Sequence, residues 1–209
     1  MNPVNTATKY VFSFNEGDGK NKQLLGGKGA NLCEMTQIGI NVPPGFVIST
    51  EACLSTIENE SRTLPEGLIE EIHSHIKVLE KANGKEFGSH ENSLLLSVRS
   101  GSALSMPGMM DTILNLGLNS ETLPGLIKQT GNERFAYDSY RRFIQLFGKI
   151  ALNIDDEKFD KPFAAIKKQA GVKQDLDLTA ENLREASEVF LDVVQQETGQ
   201  PFPEDVYQQ

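Results

Sequence analysis

Apolar and polar residues alternate through Tyr10-Val11-Phe12-Ser13-Phe14, which predicts a strand. Residues 15–22 are rich in turn formers, and a glycine loop follows at 26–29. Ala30 to Gln37 reads as a short helix with Leu32 and Met35 inward. Pro43-Pro44-Gly45 breaks the chain before a second strand, Phe46-Val47-Ile48. Thr50 is placed to cap a helix over 51–59. Thr63-Leu64-Pro65-Glu66 has capping-box spacing, and behind it Leu68, Ile72, Ile76 and Leu79 recur at helical period. The unbroken apolar run Leu94 to Val98 predicts a buried strand, and Ile113 to Leu116 predicts another.

The pattern changes after Gly117: strand signals stop and helical spacing takes over. Ala136, Tyr140, Phe143 and Phe147 step by helical intervals, as do Phe159, Phe163, Ile166 and Ala170. Thr179 caps a third helix with Leu183, Ala186, Phe190 and Val193 on one face, closed by Gly199 and Pro201. The fold class is therefore α+β: a mixed part over 1–118, a helical part over 119–200 and a short segment 201–209. That last segment, Phe202 to Tyr207, looks like the beginning of a helix. One isolated turn cannot repay the cost of helix nucleation, so the chain is expected to be a truncated piece of a longer protein.

Composition narrows the function classes. The 209 residues are 38% hydrophobic and 23% charged, which is globular, and the formal net charge is −9. An acidic chain lacks the basic field that nucleic acid or anionic membrane requires, so any phosphate ligand must be held by local geometry. Two cysteines, Cys33 and Cys53, make no disulfide framework and suit a reducing compartment. No apolar run reaches the roughly 20 residues of a membrane span. The first residues carry neither a basic start nor an apolar core, so a cytoplasmic protein is expected.

Two stretches carry candidate chemistry. In Leu25-Gly26-Gly27-Lys28-Gly29-Ala30-Asn31-Leu32, glycines let a backbone close on an anion and Lys28 adds a mobile charge. This is not a P-loop, since no Ser or Thr follows the lysine, nor a dinucleotide fingerprint, since Leu32 stands where a glycine is needed. The plain alternative is a flexible turn with a solvated lysine. In Ser97-Val98-Arg99-Ser100-Gly101, Arg99 closes an apolar run and is either snorkelling at a strand end or aimed at an anion. One charge-assisted hydrogen bond contributes about 1.5–3 kcal/mol. Two cations with several loop amides therefore suffice for micromolar nucleotide binding, which needs roughly 8 kcal/mol.

Met106 to Thr112 is apolar yet loop-like, and either packs on a ligand or serves as a buried connector. Asp111 beside Thr112 can hold Mg²⁺ or cap a turn. His73 and His75 stand two apart on one helix and His90 lies in a polar loop, so the histidines form no site. Tyr140-Arg141-Arg142-Phe143 reads as an amphipathic helix with a solvated basic edge. No residue is assigned as a metal ligand.

Four ordered motifs then carry a resemblance: the Leu25–Leu32 stretch, Val42-Pro43-Pro44-Gly45-Phe46, Ser97 to Gly101, and Ser105-Met106-Pro107-Gly108-Met109-Met110-Asp111-Thr112. Together they resemble the N-terminal end of the pyruvate phosphate dikinase family, over essentially the whole chain. Ser102-Ala103-Leu104 departs from the commoner family wording. The resemblance implies the first lobe of an ATP-grasp nucleotide-binding domain, a mixed sheet with helices, over 1–118. It also implies an inserted helical subdomain over 119–200 and a return to the lobe at 201–209. It implies Lys28 and Arg99 as catalytic, phosphate-contacting residues. Gly26, Gly27, Lys28, Arg99, Gly101, Gly108, Met109, Asp111 and Thr112 would line the ATP/AMP site. Mg²⁺ ligands, the phosphohistidine domain and the pyruvate-binding domain would lie elsewhere in a homo-oligomeric parent, and this piece alone would be inactive. Two alternatives are a phosphoenolpyruvate synthase-type dikinase and a free-standing nucleotide-binding module without catalysis.

Overall fold

The computed structural model describes residues 8–59, 61–101 and 111–209. The chain divides into two compact units, Met1–Gly84 with Ser100–Met110, and Lys85–Arg99 with Asp111–Gln209. The predicted loop residues Gly108 and Met109 lie outside the described residues.

In the first unit, strands β1 (Val11–Ser13) and β2 (Phe46–Ile48) pair antiparallel, with Phe12 opposite Val47. Three helices accompany them: α1 (Lys22–Gln37), α2 (Thr50–Glu58) and α3 (Leu68–Asn83). Both faces of the two-stranded sheet are covered. Val11 and Phe46 pack with Ala52, Leu68 and Ile72, whereas Phe12 and Val47 pack with Leu25, Ala30 and Cys33. Alternation along the strand thus serves two small cores. The α3 residue Glu71 accepts hydrogen bonds at one carboxylate oxygen from the N–H groups of Tyr10 (3.0 Å) and Val11 (2.7 Å), which occupies the outer edge of β1.

Three local expectations change here. The glycine loop is part of α1, which starts at Lys22 and not at Ala30. Its inward residues are Leu25, Gly29, Ala30 and Cys33, whereas Leu32 is half-buried and Met35 is exposed. The reason is close approach: a Cβ at Gly29 would stand 2.7 Å from a Val47 methyl carbon. Ser49, not Thr50, caps α2, accepting from the Ala52 N–H at 3.3 Å, while the Thr50 hydroxyl donates to the Gln23 carbonyl. The capping box at Thr63 does not form; α3 starts after Gly67, whose φ of 83° no side-chain cap accompanies.

The second unit holds an antiparallel hairpin, β3 (Leu96–Arg99) and β4 (Thr112–Leu116). Four helices follow: α4 (Leu123–Thr130), α5 (Glu133–Ile150), α6 (Glu157–Gln169) and α7 (Ala180–Thr198). The amphipathic α5 buries Ala136, Tyr140, Phe143, Ile144 and Phe147, and packs against β4, α4 and α7. Phe159 and Phe163 of α6 meet Phe190 of α7 in tilted edge contacts at 5.1 and 5.9 Å. Thr179 and Asn182 form the capping box of α7, and Gly199 ends it at φ 72°. The buried valine of its last turns is Val194, not Val193.

Helix α4 carries no strong periodic signal in the sequence; Pro124 at its first turn starts it and Gly131 at φ 61° stops it. The run Leu94 to Val98 is not a fully buried strand: burial falls away along it, from buried Leu94 to Val98, which is 49% exposed although its cross-strand partner Ile113 is buried. The hairpin groups with the helices because β4 lies on α5. Arg141 is not on a solvated edge. It is 4% exposed, donates to Asp138 at 2.5 Å, and lies over the Phe163 ring at 4.3 Å. Residues 202–207 form a turn and no helix. Tertiary contacts hold it: Phe202 and Val206 are buried, Asn119 Nδ2 donates to the Glu204 carbonyl (2.7 Å) and Gln209 Nε2 to the Leu118 carbonyl (3.0 Å).

The cap assignment is testable. Ser49→Ala should lower stability by about 1 kcal/mol in urea unfolding, as for other lost N-caps, whereas Thr63→Ala should leave the midpoint unchanged.

Candidate functional site

The glycine segment is a helix interrupted at one residue. Gly26 sits at φ 68° and ψ 164°, a backbone region essentially restricted to glycine, inside α1. The hydrogen-bond ladder of a helix cannot run through such a residue. A new helix start therefore opens at Gly27, with the positive end of its dipole at the break. Lys28 stands on that first turn, exposed, with Gly26 buried beneath and Gly27 half-buried. Its ammonium donates a long hydrogen bond of 3.4 Å to the Ser100 carbonyl, beside exposed Gly101 in the same unit. The first unit thus brings Gly26, Gly27, Lys28 and Gly101 together.

The second unit brings Arg99, Asp111 and Thr112 together. Arg99 pairs directly with Thr112 across the hairpin, and Asp111 is the next residue. Arg99 and Asp111 are exposed and Thr112 is half-buried. Alternation puts Arg99 and Thr112 on the hairpin face opposite Val98 and Ile113, away from the helical core that takes Ile113. Lys28 and Arg99 belong to different units.

Two concavities lie on the second unit. One, of about 400 Å³, is lined by Leu114, Asn115, Arg141, Arg142, Lys149 and three further residues of α5 and α6, with Asp156 and Asp175. The other, of about 500 Å³, is lined by Asp111, Lys149 and residues 150 and 153–156. Their charges compensate one another: Lys149 pairs with Asp156, Arg142 with Asp138 (3.1 Å), and Lys167 with Asp175 (3.0 Å). Burial resists ionisation of Asp175, but Lys167 and the two arginines outweigh it and lower its pKa. An ion-paired groove of this kind holds helices together and offers no excess charge to an anion. Of the predicted site residues only Asp111 borders either one. Among the described residues no group of three or more His, Cys, Asp or Glu could hold a metal ion, and no helix is long and apolar enough to cross a membrane.

Near the glycine segment, Glu16 is the anchor of the turn that precedes α1. It accepts from the Ser13 N–H (2.7 Å), the Lys9 ammonium (2.8 Å) and His75 (3.4 Å). Burial opposes its charge, but these three partners prevail and lower its pKa to about 2. Burial raises the Cys33 thiol, and Glu16 adds to that. Cys33 is buried and Cys53 exposed, and both are free.

Comparison with known proteins places this geometry. A family model described as pyruvate phosphate dikinase, AMP/ATP-binding domain, matches residues 22–62, which begins at the first residue of α1 and takes in Gly26, Gly27 and Lys28. Pyruvate, phosphate dikinase of Entamoeba histolytica is 58% identical over 199 residues, 95% of this chain and 22% of its own length. The Clostridium symbiosum enzyme of the same name is 47% identical over 198 residues, 94% of this chain and 22% of its own. The chain is similar to pyruvate, phosphate dikinases over nearly its whole length. The chloroplastic pyruvate, phosphate dikinase of Mesembryanthemum crystallinum is 49% identical over 207 residues, 97% of this chain and 22% of its own. The chain thus spans about a fifth of the length of the dikinases it matches.

Sequence reading found the glycine segment and the arginine strand but took the first for a loop. It missed Asn115, a strand residue at φ 62°. The only signal was an asparagine two positions before Gly117 in an otherwise apolar strand.

Gly26→Ala should cost about 1–3 kcal/mol in thermal or urea unfolding, since alanine cannot take that backbone conformation without strain. Glu16 sets a pH dependence. Its folded pKa lies below the ordinary 4.5, so its contribution is complete above that value and is lost as pH falls toward about 2. Glu16→Gln should flatten the stability profile across this window, read by melting temperature against pH.

Proposed function

We propose that this chain is the ATP/AMP-binding N-terminal part of a pyruvate phosphate dikinase. Such an enzyme passes phosphoryl groups from ATP through a phosphohistidine to phosphate and pyruvate, giving AMP, diphosphate and phosphoenolpyruvate. The observation that carries the reading is the helix break at Gly26 with exposed Lys28 on the turn that follows, inside the segment matched by the AMP/ATP-binding domain. A helix start beside a mobile ammonium is an anion-binding arrangement. Free Cys33 and Cys53 agree with a reducing, cytoplasmic setting.

In this reading residues 1–118 form the first lobe of an ATP-grasp domain, 119–200 an inserted helical subdomain, and 201–209 the return to the lobe. Lys28 and Arg99 are both phosphate contacts. Lys28 holds the transferring phosphates as a point charge, and Arg99, with its rigid fork, stabilises charge that develops between attacking and leaving oxygens. Gly26, Gly27 and Gly101 allow the main chain to approach, and Gly108, Met109, Asp111 and Thr112 cover the phosphates and exclude water. Phosphoryl transfer needs positioning and charge neutralisation more than covalent chemistry from the protein, and glycines with two cations supply both.

Mg²⁺ would neutralise the phosphates further. In this reading its ligands belong to other parts of the parent. The phosphohistidine and pyruvate-binding domains of the same homo-oligomeric parent are the partners, and this chain supplies nucleotide binding without turnover.

In the dikinase that carries this chain, Lys28→Ala and Arg99→Ala should each reduce phosphorylation of the histidine domain by ATP at least about 10²-fold, the scale of losing one preorganised charge at a transition state. Transfer from phosphoenolpyruvate to the same histidine should stay unchanged. Rapid-quench measurement of the two half-reactions checks this, and equal loss of both would give the residues another job.

A further inference from the structure

The β3–β4 hairpin is not regular. Arg99 faces Thr112 and Val98 faces Ile113 in step, but Leu96 then faces Leu116, so Ser97 stands opposite both Leu114 and Asn115. One residue of β4 is extra, which is a β-bulge. Asn115 has φ 62°, the left-handed region that asparagine tolerates better than other residues with a side chain.

The bulge separates a fixed end of the hairpin from the end that carries Arg99 and Thr112. On the fixed side, the Asn115 carbonyl accepts from the Leu118 N–H (3.1 Å), Leu118 is fully buried, and the Gly117 N–H donates to Gln209 Oε1 at 2.9 Å. Ile113 belongs to the helical core and Leu116 packs against it. These two are three positions apart, and strict alternation would send them to opposite faces. The extra residue reconciles them, so both ends of β4 stay on α5 while the strand bends between. On the other side stand exposed Arg99, exposed Asp111 and half-buried Thr112. Bulges raise local twist and re-aim the side chains beyond them.

We propose that Asn115 is a positioning residue for phosphoryl transfer. Its left-handed backbone makes the bulge, and the bulge sets the direction in which Arg99 leaves the hairpin. The proposal rests on the reading of Arg99 as a phosphate contact and deepens it. The conformation is what matters, not the amide group. Glycine takes the same conformation freely, a β-branched residue does not, and removing Asn115 restores a regular ladder with Arg99–Thr112 and Leu96–Leu116 still paired.

The test compares three changes in the dikinase that carries this chain, with ATP and with phosphoenolpyruvate as separate phosphoryl donors to the histidine domain. Asn115→Gly should keep the ATP-dependent rate within about threefold, whereas Asn115→Val and deletion of Asn115 should each lower it at least about tenfold at saturating ATP, the penalty of a small misplacement. Phosphoenolpyruvate-dependent transfer should be unchanged in all three. If Asn115→Val loses both half-reactions through misfolding, the deletion variant decides. Arg99→Ala, run alongside, separates the two claims. An Arg99→Ala enzyme inactive with ATP beside fully active valine and deletion variants would overturn the role of Asn115 alone. An Arg99→Ala enzyme still active with ATP would overturn the phosphate role of Arg99, and this inference with it.

Discussion

Burial of the apolar face of α5 is the constraint on which the second unit depends. Phe143 and Phe147 form an edge-packed cluster with Phe202, at 5.5 and 5.3 Å, which pins the end of the chain to the middle of the helix. The same helix takes β4 on one side and α7 on another. A two-stranded hairpin has little stability of its own, and here it borrows a core from the helix beneath it. Arg99 and Thr112 therefore keep a defined place although both stand at its less buried end. The buried Arg141 extends this logic: Asp138, Asp175 and the face of Phe163 compensate its charge, so α5 carries a guanidinium at the edge of an apolar core without leaving it unpaired.

The first unit solves a different problem. A sheet of only two strands covers little surface, and both its faces are used, one against α2 and α3 and the other against α1. Small residues at Gly29 and Ala30 let α1 come close to β2. The residues that allow this packing share one short motif with the break that exposes Lys28. Gly26 turns the backbone, Gly29 admits the strand, and the cation between them is left outside. Packing and chemistry are thus written into the same eight residues, which is why the motif reads ambiguously as turn, helix or anion site when taken alone.

Much of this was legible in the chain. The 3.6-residue period located α3, α5, α6 and α7, because each covers a core with one continuous stripe, and Thr179 and Gly199 mark the ends of α7 with side-chain chemistry that acts locally. The strand Phe46-Val47-Ile48 was equally plain between its breakers. Less legible were features that depend on partners distant in sequence. Ser49 and Thr50 are chemically alike, and only the placement of Gln23 next to Thr50 decides which one caps α2. Arg141 looks solvated until Phe163 is folded beneath it.

The sequence by itself determined the helical stripes, the breakers, and a lysine and an arginine each set among glycine and small residues, since these follow from local sterics and periodicity. Tertiary structure decided that the glycine segment is a broken helix, that the hairpin carries a bulge at Asn115, and that the last turn is held in place at all. Each of these is a local conformation that costs free energy in isolation and persists because contacts from elsewhere in the chain hold it: Val47 against Gly29, α5 under β4, and Gln209 on Gly117.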